Sequence, residues 1–217
     1  MRRKNITIIG AGKMATILSR YFSNAGHNVY IGAREMTKAT QLAEKIGNGV
    51  ESHSIKESIQ LGDIIFLAVP YLQIKDTINL TGPLSGKIVV DMSNPFKPDF
   101  SGLLVGGNTS AAEELAKILP EAHIVKAFNT VFATVLDRGP DYQNNCAQVF
   151  FAGDDESAKQ EIAELIEATG FEPIDTGKLL SARFLEPLSA LLIQTDNHLK
   201  DPVQITAAML ARPSVPQ

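Results

Sequence analysis

The chain opens with a short apolar, β-branched run, residues 5–9 (Asn-Ile-Thr-Ile-Ile), that breaks at Gly10-Ala11-Gly12-Lys13-Met14-Ala15. Residues 13–25 then repeat apolar side chains at helical spacing, with Met14, Ile17, Leu18, Tyr21 and Phe22 on one face. A buried strand, a glycine turn and a helix in this order constrain the fold more than anything else in the sequence. The pattern fits G-x-G-x-x-G/A with Ala15 in the last place. Gly10 permits the tight turn, Gly12 lets backbone approach a pyrophosphate, and Ala15 is small enough for helix and strand to pack closely. The helix start then offers free N–H groups and a positive dipole end, which suit phosphate. A generic strand-to-helix turn is the competing reading, and the ordered context at the start of the chain disfavours it.

The remainder continues the alternation. Residues 28–31 read as a second strand, 37–46 as a second helix, and 50–52 as a weak edge strand. Ser54 and Glu57 have the spacing of a capping box. Residues 63–69 (Asp-Ile-Ile-Phe-Leu-Ala-Val) are apolar on both faces, as a central parallel strand must be. Residues 71–79 read as helix, 87–91 as strand, and 93–109, rich in Pro and Gly, as the longest loop. Beyond it, 113–119 is helical, 123–128 and 147–152 are strands, 154–169 is an amphipathic helix, 171–174 a last strand and 179–195 an apolar final helix. Strands alternating with helices imply an α/β fold: a doubly wound, mainly parallel sheet of the Rossmann type with a short C-terminal α/β extension. The expected division is a dinucleotide-binding core at 1–128, an extension at 129–200 that packs on it and closes the acceptor pocket, and a loosely held tail at 201–217 with two late prolines.

Composition narrows the function. The 217 residues carry 20 basic and 24 acidic side chains, a net charge of −4. With a pI near 5.6, this argues against nucleic acid as a partner. The one cysteine, Cys146, excludes an internal disulfide and a cysteine-based metal site. No apolar run is long enough to span a bilayer. The basic start, Met1 to Asn5, leads into a run that is short and meets glycines, so it reads as strand and not as a signal peptide. The expected location is a reducing cytoplasm.

The end of the second strand separates the two pyridine nucleotides. An NAD site places an acid there for the ribose 2′-hydroxyl. This chain has Gly32-Ala33-Arg34-Glu35, with Lys38 one helical turn on. Arg34 stands where a 2′-phosphate would lie, and a guanidinium binds phosphate bidentately. The expectation is NADP(H), although Glu35 would suit the hydroxyl if Arg34 turned away, and Arg34 and Lys38 would also serve to solvate a helix start. Ala68-Val69-Pro70-Tyr71, the loop Asp91 to Pro95 with Asn94, and Ala127 to Val131 follow successive strands on the ligand side, where they should surround the nicotinamide.

Their chemistry is mild: hydroxyls, amides and prolines. There is no Ser-His-Asp set, and His27, His53, His123 and His198 read as structural. Arg183 and Glu186, one turn apart, read as an intrahelical ion pair. Asp154-Asp155 reads as a helix cap and not as a metal site. Hydride transfer between stacked rings needs proximity and orientation above all, while reduction of a ketone needs a proton donor. A site with no catalytic acid or base therefore suits ring-to-ring transfer.

With these residues assembled, the chain resembles the NADPH-dependent oxidoreductases of the deazaflavin coenzyme F-420, with the metalloreductase domain of the STEAP membrane proteins as a relative. The resemblance spans roughly residues 5–195. It is carried by Gly32-Ala33-Arg34 with Lys38, by Lys126-Ala127-Phe128-Asn129-Thr130, by Phe151 to Ser157, and by Asp175-Thr176-Gly177 through Arg183-Phe184-Leu185-Glu186. It implies that NADP is held by the glycine turn (Gly10, Gly12, Lys13, Met14), by Ala33, Arg34 and Lys38, and by the Ala68–Val69–Pro70 loop with Asn94. It also implies a second redox ring stacked on the nicotinamide near Pro70, Tyr71, Asn129, Thr130 and Val131.

The deazaflavin reductases carry a histidine where this chain has Asn129, so a flavin, a quinone or a small imine or carbonyl stands beside the deazaflavin as acceptor. The Met14-Ala15 ending also resembles pyrroline-5-carboxylate reductase, but that family adds a long helical dimerisation domain, and only about 40 residues follow Gly177 here. A non-catalytic NADP(H) sensor is the reading from outside the enzymes. The expected assembly is a homodimer, with Leu185, Leu188, Leu191 and Leu192 of the final helix serving as core or as dimer face.

Overall fold

In a computed structural model, residues 2–142, 145–199 and 205–210 are described. The elements in chain order are β1 (Asn5–Ile9), α1 (Lys13–Asn24), β2 (Asn28–Gly32), α2 (Met36–Ile46), β3 (Glu51–His53), α3 (Ile55–Leu61), β4 (Ile64–Leu67), α4 (Tyr71–Thr81), β5 (Ile88–Asp91), α5 (Ala111–Ile118) and β6 (His123–Ala127). They continue with α6 (Ala133–Arg138), β7 (Asp141–Tyr142), β8 (Asn145–Cys146), β9 (Gln148–Gly153), α7 (Glu156–Ala168), β10 (Glu172–Asp175), a 3-10 turn (Leu179–Ser181) and α8 (Ala182–His198).

One eight-stranded sheet runs β10-β9-β6-β5-β4-β1-β2-β3. Its first six strands in sequence are parallel and stand in the order 3-2-1-4-5-6 of the doubly wound fold. β9 joins antiparallel to β6, with Ala127 opposite Phe151, and β10 pairs parallel to β9. β9 and β10 therefore extend the sheet beyond β6. The topological switch point lies between β1 and β4.

The central strands alternate between two cores. Ile6, Ile8, Ile64, Phe66 and Val90 face α1 and α7, where Phe66 stacks between Phe22 and Phe128 at centroid distances of 5.1 and 6.1 Å. Ile9, Ile65, Leu67 and Val89 face α3, α4 and α5 and meet Ile59, Ile74 and Leu115. Both faces of β4 are thus apolar because both are covered.

Several boundaries differ from the sequence reading. α6 and the β7–β8 hairpin occupy a stretch to which the periodicity assigns no element. The final helix begins as a 3-10 turn and carries Pro187 inside it. Of the tail, residues 205–210 are held and not loose. The Gln148 amide brackets the Met209 backbone, donating to its carbonyl at 3.1 Å and accepting from its N–H at 2.6 Å, and Ala207 packs against Phe150 and Leu185. Residues 201–204 and 211–217, with the late prolines, lie outside the described residues. No described helix is long and apolar enough to cross a membrane.

Candidate active site

The end of β1 makes the turn that the site depends on. Gly10 sits at φ 128°, and a Cβ there would stand 2.5 Å from the Ala68 carbonyl oxygen. Only glycine fits that turn. Gly12 caps α1 in extended conformation, with no side chain closing the helix end and no acid in the first turn. The first N–H groups of α1 and its positive dipole end are therefore free to meet an anion. Ala15 is fully buried beneath them.

A cleft of about 300 Å³ opens over this turn. Gly10, Gly12, Ala33, Arg34, Lys38, Ala68, Val69 and Pro70 all line it. Arg34 donates from Nη2 to Gln73 Oε1 on α4 at 2.6 Å, so the guanidinium is held across the cleft. Glu35, the sequence's competing ligand for a ribose hydroxyl, also lines the cleft but pairs with Lys38 at 2.9 Å. Lys13, one of the expected cofactor residues, lines neither this cleft nor the next.

A second cleft of about 380 Å³ shares the wall Ala68, Val69 and Pro70. Met14, Tyr71, Met92, Ser93 and Asn94 line it, and the loop after β5 closes its far side with Phe96, Lys97, Pro98 and Phe100. Burial pushes the Tyr71 phenol up from its ordinary range, and the carboxylates of Glu114, Glu186 and Asp91 push it the same way. Asn129, Thr130 and Val131, expected at the acceptor pocket, are buried and do not line it. They act one layer behind. Asn94 Nδ2 donates to the Asn129 carbonyl and to Ser189 Oγ, both at 2.9 Å, while Asn129 Nδ2 donates to Asn94 Oδ1 at 2.9 Å and to the Leu185 carbonyl at 3.0 Å. Phe128, just before them, is buried at φ 62°, a left-handed backbone that a phenylalanine rarely adopts.

Beneath this floor lies a buried charge cluster. Lys126 Nζ meets Asp91 Oδ2 at 2.8 Å, Glu186 Oε1 at 2.8 Å and the Ser93 carbonyl at 2.6 Å, with all three side chains at most 1% exposed. Asp91 Oδ1 accepts the Ser93 N–H at 2.9 Å. Glu186 also accepts from the first N–H groups of α5, Ala111 at 2.9 Å and Ala112 at 3.3 Å. Burial pushes the Glu186 carboxyl up, against the pull of Lys126.

The intrahelical Arg183–Glu186 pair expected from the sequence is therefore not formed. Arg183 instead makes a two-pronged bond to Glu113 of α5, at 2.7 and 2.8 Å. Tertiary partners in the core and on α5 outcompete a solvent-exposed pair along one helix. The pairing of Lys126 with Asp91 was traceable in principle, because both residues end adjacent apolar strands on the ligand side. Asp155 caps α7 through the Ala158 N–H at 2.7 Å. The histidines stand away from both clefts: His27 accepts from the Lys4 N–H, His53 meets Glu51, His123 meets Asp155, and His198 ends α8.

The arrangement binds and orients. Of the described residues lining the second cleft, Tyr71 and Lys97 alone carry a titratable side chain.

Comparison with known proteins gives the chain a family. The family described as NADP oxidoreductase coenzyme F420-dependent matches residues 5–95, from β1 to the loop after β5. The F420-dependent NADP reductase of Methanocaldococcus jannaschii is 32% identical over 186 residues, covering 77% of this chain and 81% of that protein. Metalloreductase STEAP3 of Rattus norvegicus is 32% identical over 188 residues, 87% of this chain. The chain spans only 37% of the length of that metalloreductase. A crystal structure of a candidate F420-dependent NADP-reductase from Arthrobacter sp. FB24 superposes with a TM-score of 0.82 at 25% identity, covering 90% of this chain and 94% of that one. By sequence over most of its length and by fold, the chain belongs to the coenzyme F420-dependent NADP oxidoreductase family.

Proposed function

We propose that the chain, an NADP-dependent oxidoreductase by family, transfers hydride between NADPH and a flavin-like or deazaflavin ring. The observation that carries this is the shared wall. Ala68, Val69 and Pro70 line both a glycine-lined cleft with cations at its rim and an apolar cleft, so two ligands can meet beside them.

The residues present fit a pyridine dinucleotide. The Cβ that Gly12 lacks would stand in open space with no heavy atom within 4 Å. Gly10, Gly12 and the start of α1 would hold the pyrophosphate, and Arg34 with Lys38 the 2′-phosphate. NADPH supplies the hydride, and the cofactor carries the hard chemistry. The protein's part is to fix two rings in contact. Pro70 and Val69 form the common edge, Asn94 is locked by Asn129 and Ser189, and the Lys126 cluster holds the Ser93 backbone beneath. The scarcity of proton donors around the second cleft supports ring-to-ring transfer over reduction of a carbonyl.

A homodimer joined through α8 belongs to the same proposal. Its outer face shows Phe184 and Leu191, 69% and 58% exposed, while Leu185 and Leu192 turn to the core.

The test is steady NADPH oxidation with a panel of deazaflavin, flavin, quinone and cyclic imine acceptors, with NADH as control. Turnover with the ring acceptors and a preference for NADPH is expected. Turnover with the imine alone would replace this reading by an imine reductase. Tight NADPH binding without turnover on any acceptor would replace it by a sensor.

A further inference from the structure

The second cleft holds one full charge. Of the residues that line it, Lys97 is the sole Lys, Arg, Asp or Glu, and it forms no ion pair among the described residues. The nearby Asp99 makes no ion pair with it among the described residues: Asp99 Oδ1 accepts the Ser101 N–H at 3.0 Å, and the Lys97 charge adds only a weak pull on that carboxyl. The segment that presents Lys97 is built, not loose. Phe96 and Leu103 form an antiparallel bridge, the Lys97 N–H donates to the Gly102 carbonyl at 2.9 Å, and the Leu104 N–H donates to the Pro95 carbonyl at 2.6 Å.

At the tip of this segment the Phe100 N–H bonds the Lys97 carbonyl at 2.9 Å, and Phe100 itself adopts φ 57°. A left-handed backbone at a bulky residue costs conformational energy, and such residues gather at ligand clamps. Burial does not repay it, since Phe100 is 60% exposed. Its ring instead stands 5.6 Å from that of Phe96, tilted by 41°, and both line the cleft beside the lysine. An aromatic pair next to an ammonium that forms no ion pair is a complementary surface for a planar ring that carries negative charge.

Resting on the ring-acceptor reading above, we propose that the second cleft selects a planar heteroaromatic acceptor bearing an anionic substituent. Phe96 and Phe100 cover the ring and Lys97 pairs with the anion. A neutral ring of the same shape is a weaker ligand.

FMN and riboflavin test this, because they share one ring system and differ in a terminal phosphate. Each is titrated against the full chain, saturated with NADP⁺, and followed by flavin fluorescence. The wild type should bind FMN roughly three- to tenfold more tightly than riboflavin, as for an ion pair at a part-exposed site. The difference should shrink as salt is added. Lys97→Ala should bring the ratio of the two affinities to about one, while Lys56→Ala, an exposed lysine on α3, should leave the ratio as in the wild type. Phe100→Ala should weaken both flavins and preserve their ratio.

Equal affinity of the wild type for the two flavins, no binding of either, or a ratio unmoved by Lys97→Ala would overturn the proposal. NADPH oxidation by riboflavin, measured separately, distinguishes the two levels. Turnover without any preference for the anion would sink this inference and leave the ring-acceptor reading standing.

Discussion

Glu186 of α8 lies 2.8 Å from Lys126 at the end of β6, with both side chains cut off from solvent. The contact reaches the site through its other bonds. Lys126 grips the Ser93 carbonyl, and Glu186 closes the amino end of α5, which follows the loop that walls the second cleft. Two carboxylates and one ammonium share this enclosure, so loss of the ammonium would leave two buried negative charges facing one another. Lys126→Met should therefore lower stability by about 3–5 kcal/mol, the cost of breaking a buried pair from one side. Glu186→Gln, which keeps an acceptor for the α5 N–H groups, should cost less, about 1–3 kcal/mol. Urea unfolding measures both. A Lys126→Met variant as stable as the wild type would show that the cluster contributes little.

The ion pair between α8 and α5 gives a pH signature. Bonds from Arg183, and then from Ser110, hold the Glu113 carboxyl below its ordinary value of 4.5. Between that lowered value and 4.5, the unfolded chain binds a proton that the folded protein refuses, so stability falls as acid is added. The contribution is complete above 4.5 and disappears as pH drops through the folded value. Glu113→Gln lacks it. The stability gap between wild type and variant should be constant near neutrality and should close in acid. A gap that stays fixed down to strongly acidic pH would mean that Glu113 contributes by packing alone.

These pairs also mark where the sequence was legible and where it was not. The parallel core could be read because its signals are local. Residues 64–67 are apolar on both faces, Gly10 and Gly12 stand in register with β1 and α1, and Ser54 and Glu57 close their own capping box. The partners of Arg183 could not be read this way. Its spacing to Glu186 satisfies a helical rule, yet the competitor, Glu113, is distant in sequence and arrives only when α5 and α8 pack. The place of Asn129 depends on packing in a similar way. It follows β6 on the ligand side, as expected, but Asn94 and Leu185 draw its amide inward and leave Asn94 at the surface of the cleft. The antiparallel entry of β9 leaves no trace in composition, since it is as apolar as the parallel strands.

The two glycines of the turn should separate folding from binding. Gly10→Ala meets both a positive φ and the Ala68 carbonyl, so it should cost at least about 1–3 kcal/mol of stability from backbone strain alone. Gly12→Ala faces no neighbour and no unusual dihedral. It should change stability by less than about 1 kcal/mol, as a modest N-cap loss, yet weaken NADPH because the new methyl stands where backbone must approach phosphate. Thermal melts without ligand and NADPH fluorescence titrations read the two effects apart. Unchanged NADPH affinity in Gly12→Ala would remove the turn from the binding site.

The cleft rim should discriminate between the two nucleotides, and its charges should act with opposite signs. Among the described residues Arg34 is committed only to the neutral amide of Gln73, so its full charge is available to a 2′-phosphate. Arg34→Ala should weaken NADPH by about 1.5–3 kcal/mol, the range for a hydrogen bond to a charged group, and should barely alter NADH. Lys38 is partly neutralised by Glu35, so Lys38→Ala should follow in the same direction with a smaller effect. Glu35→Ala should do the reverse, since it removes a carboxylate from the cleft and frees the lysine, and NADPH should bind more tightly than to the wild type. Calorimetric titration of both nucleotides against the three variants decides the matter. Equal losses for NADPH and NADH in Arg34→Ala would refute the phosphate role, and tighter NADH binding in Glu35→Ala would refute a hydroxyl role for that glutamate.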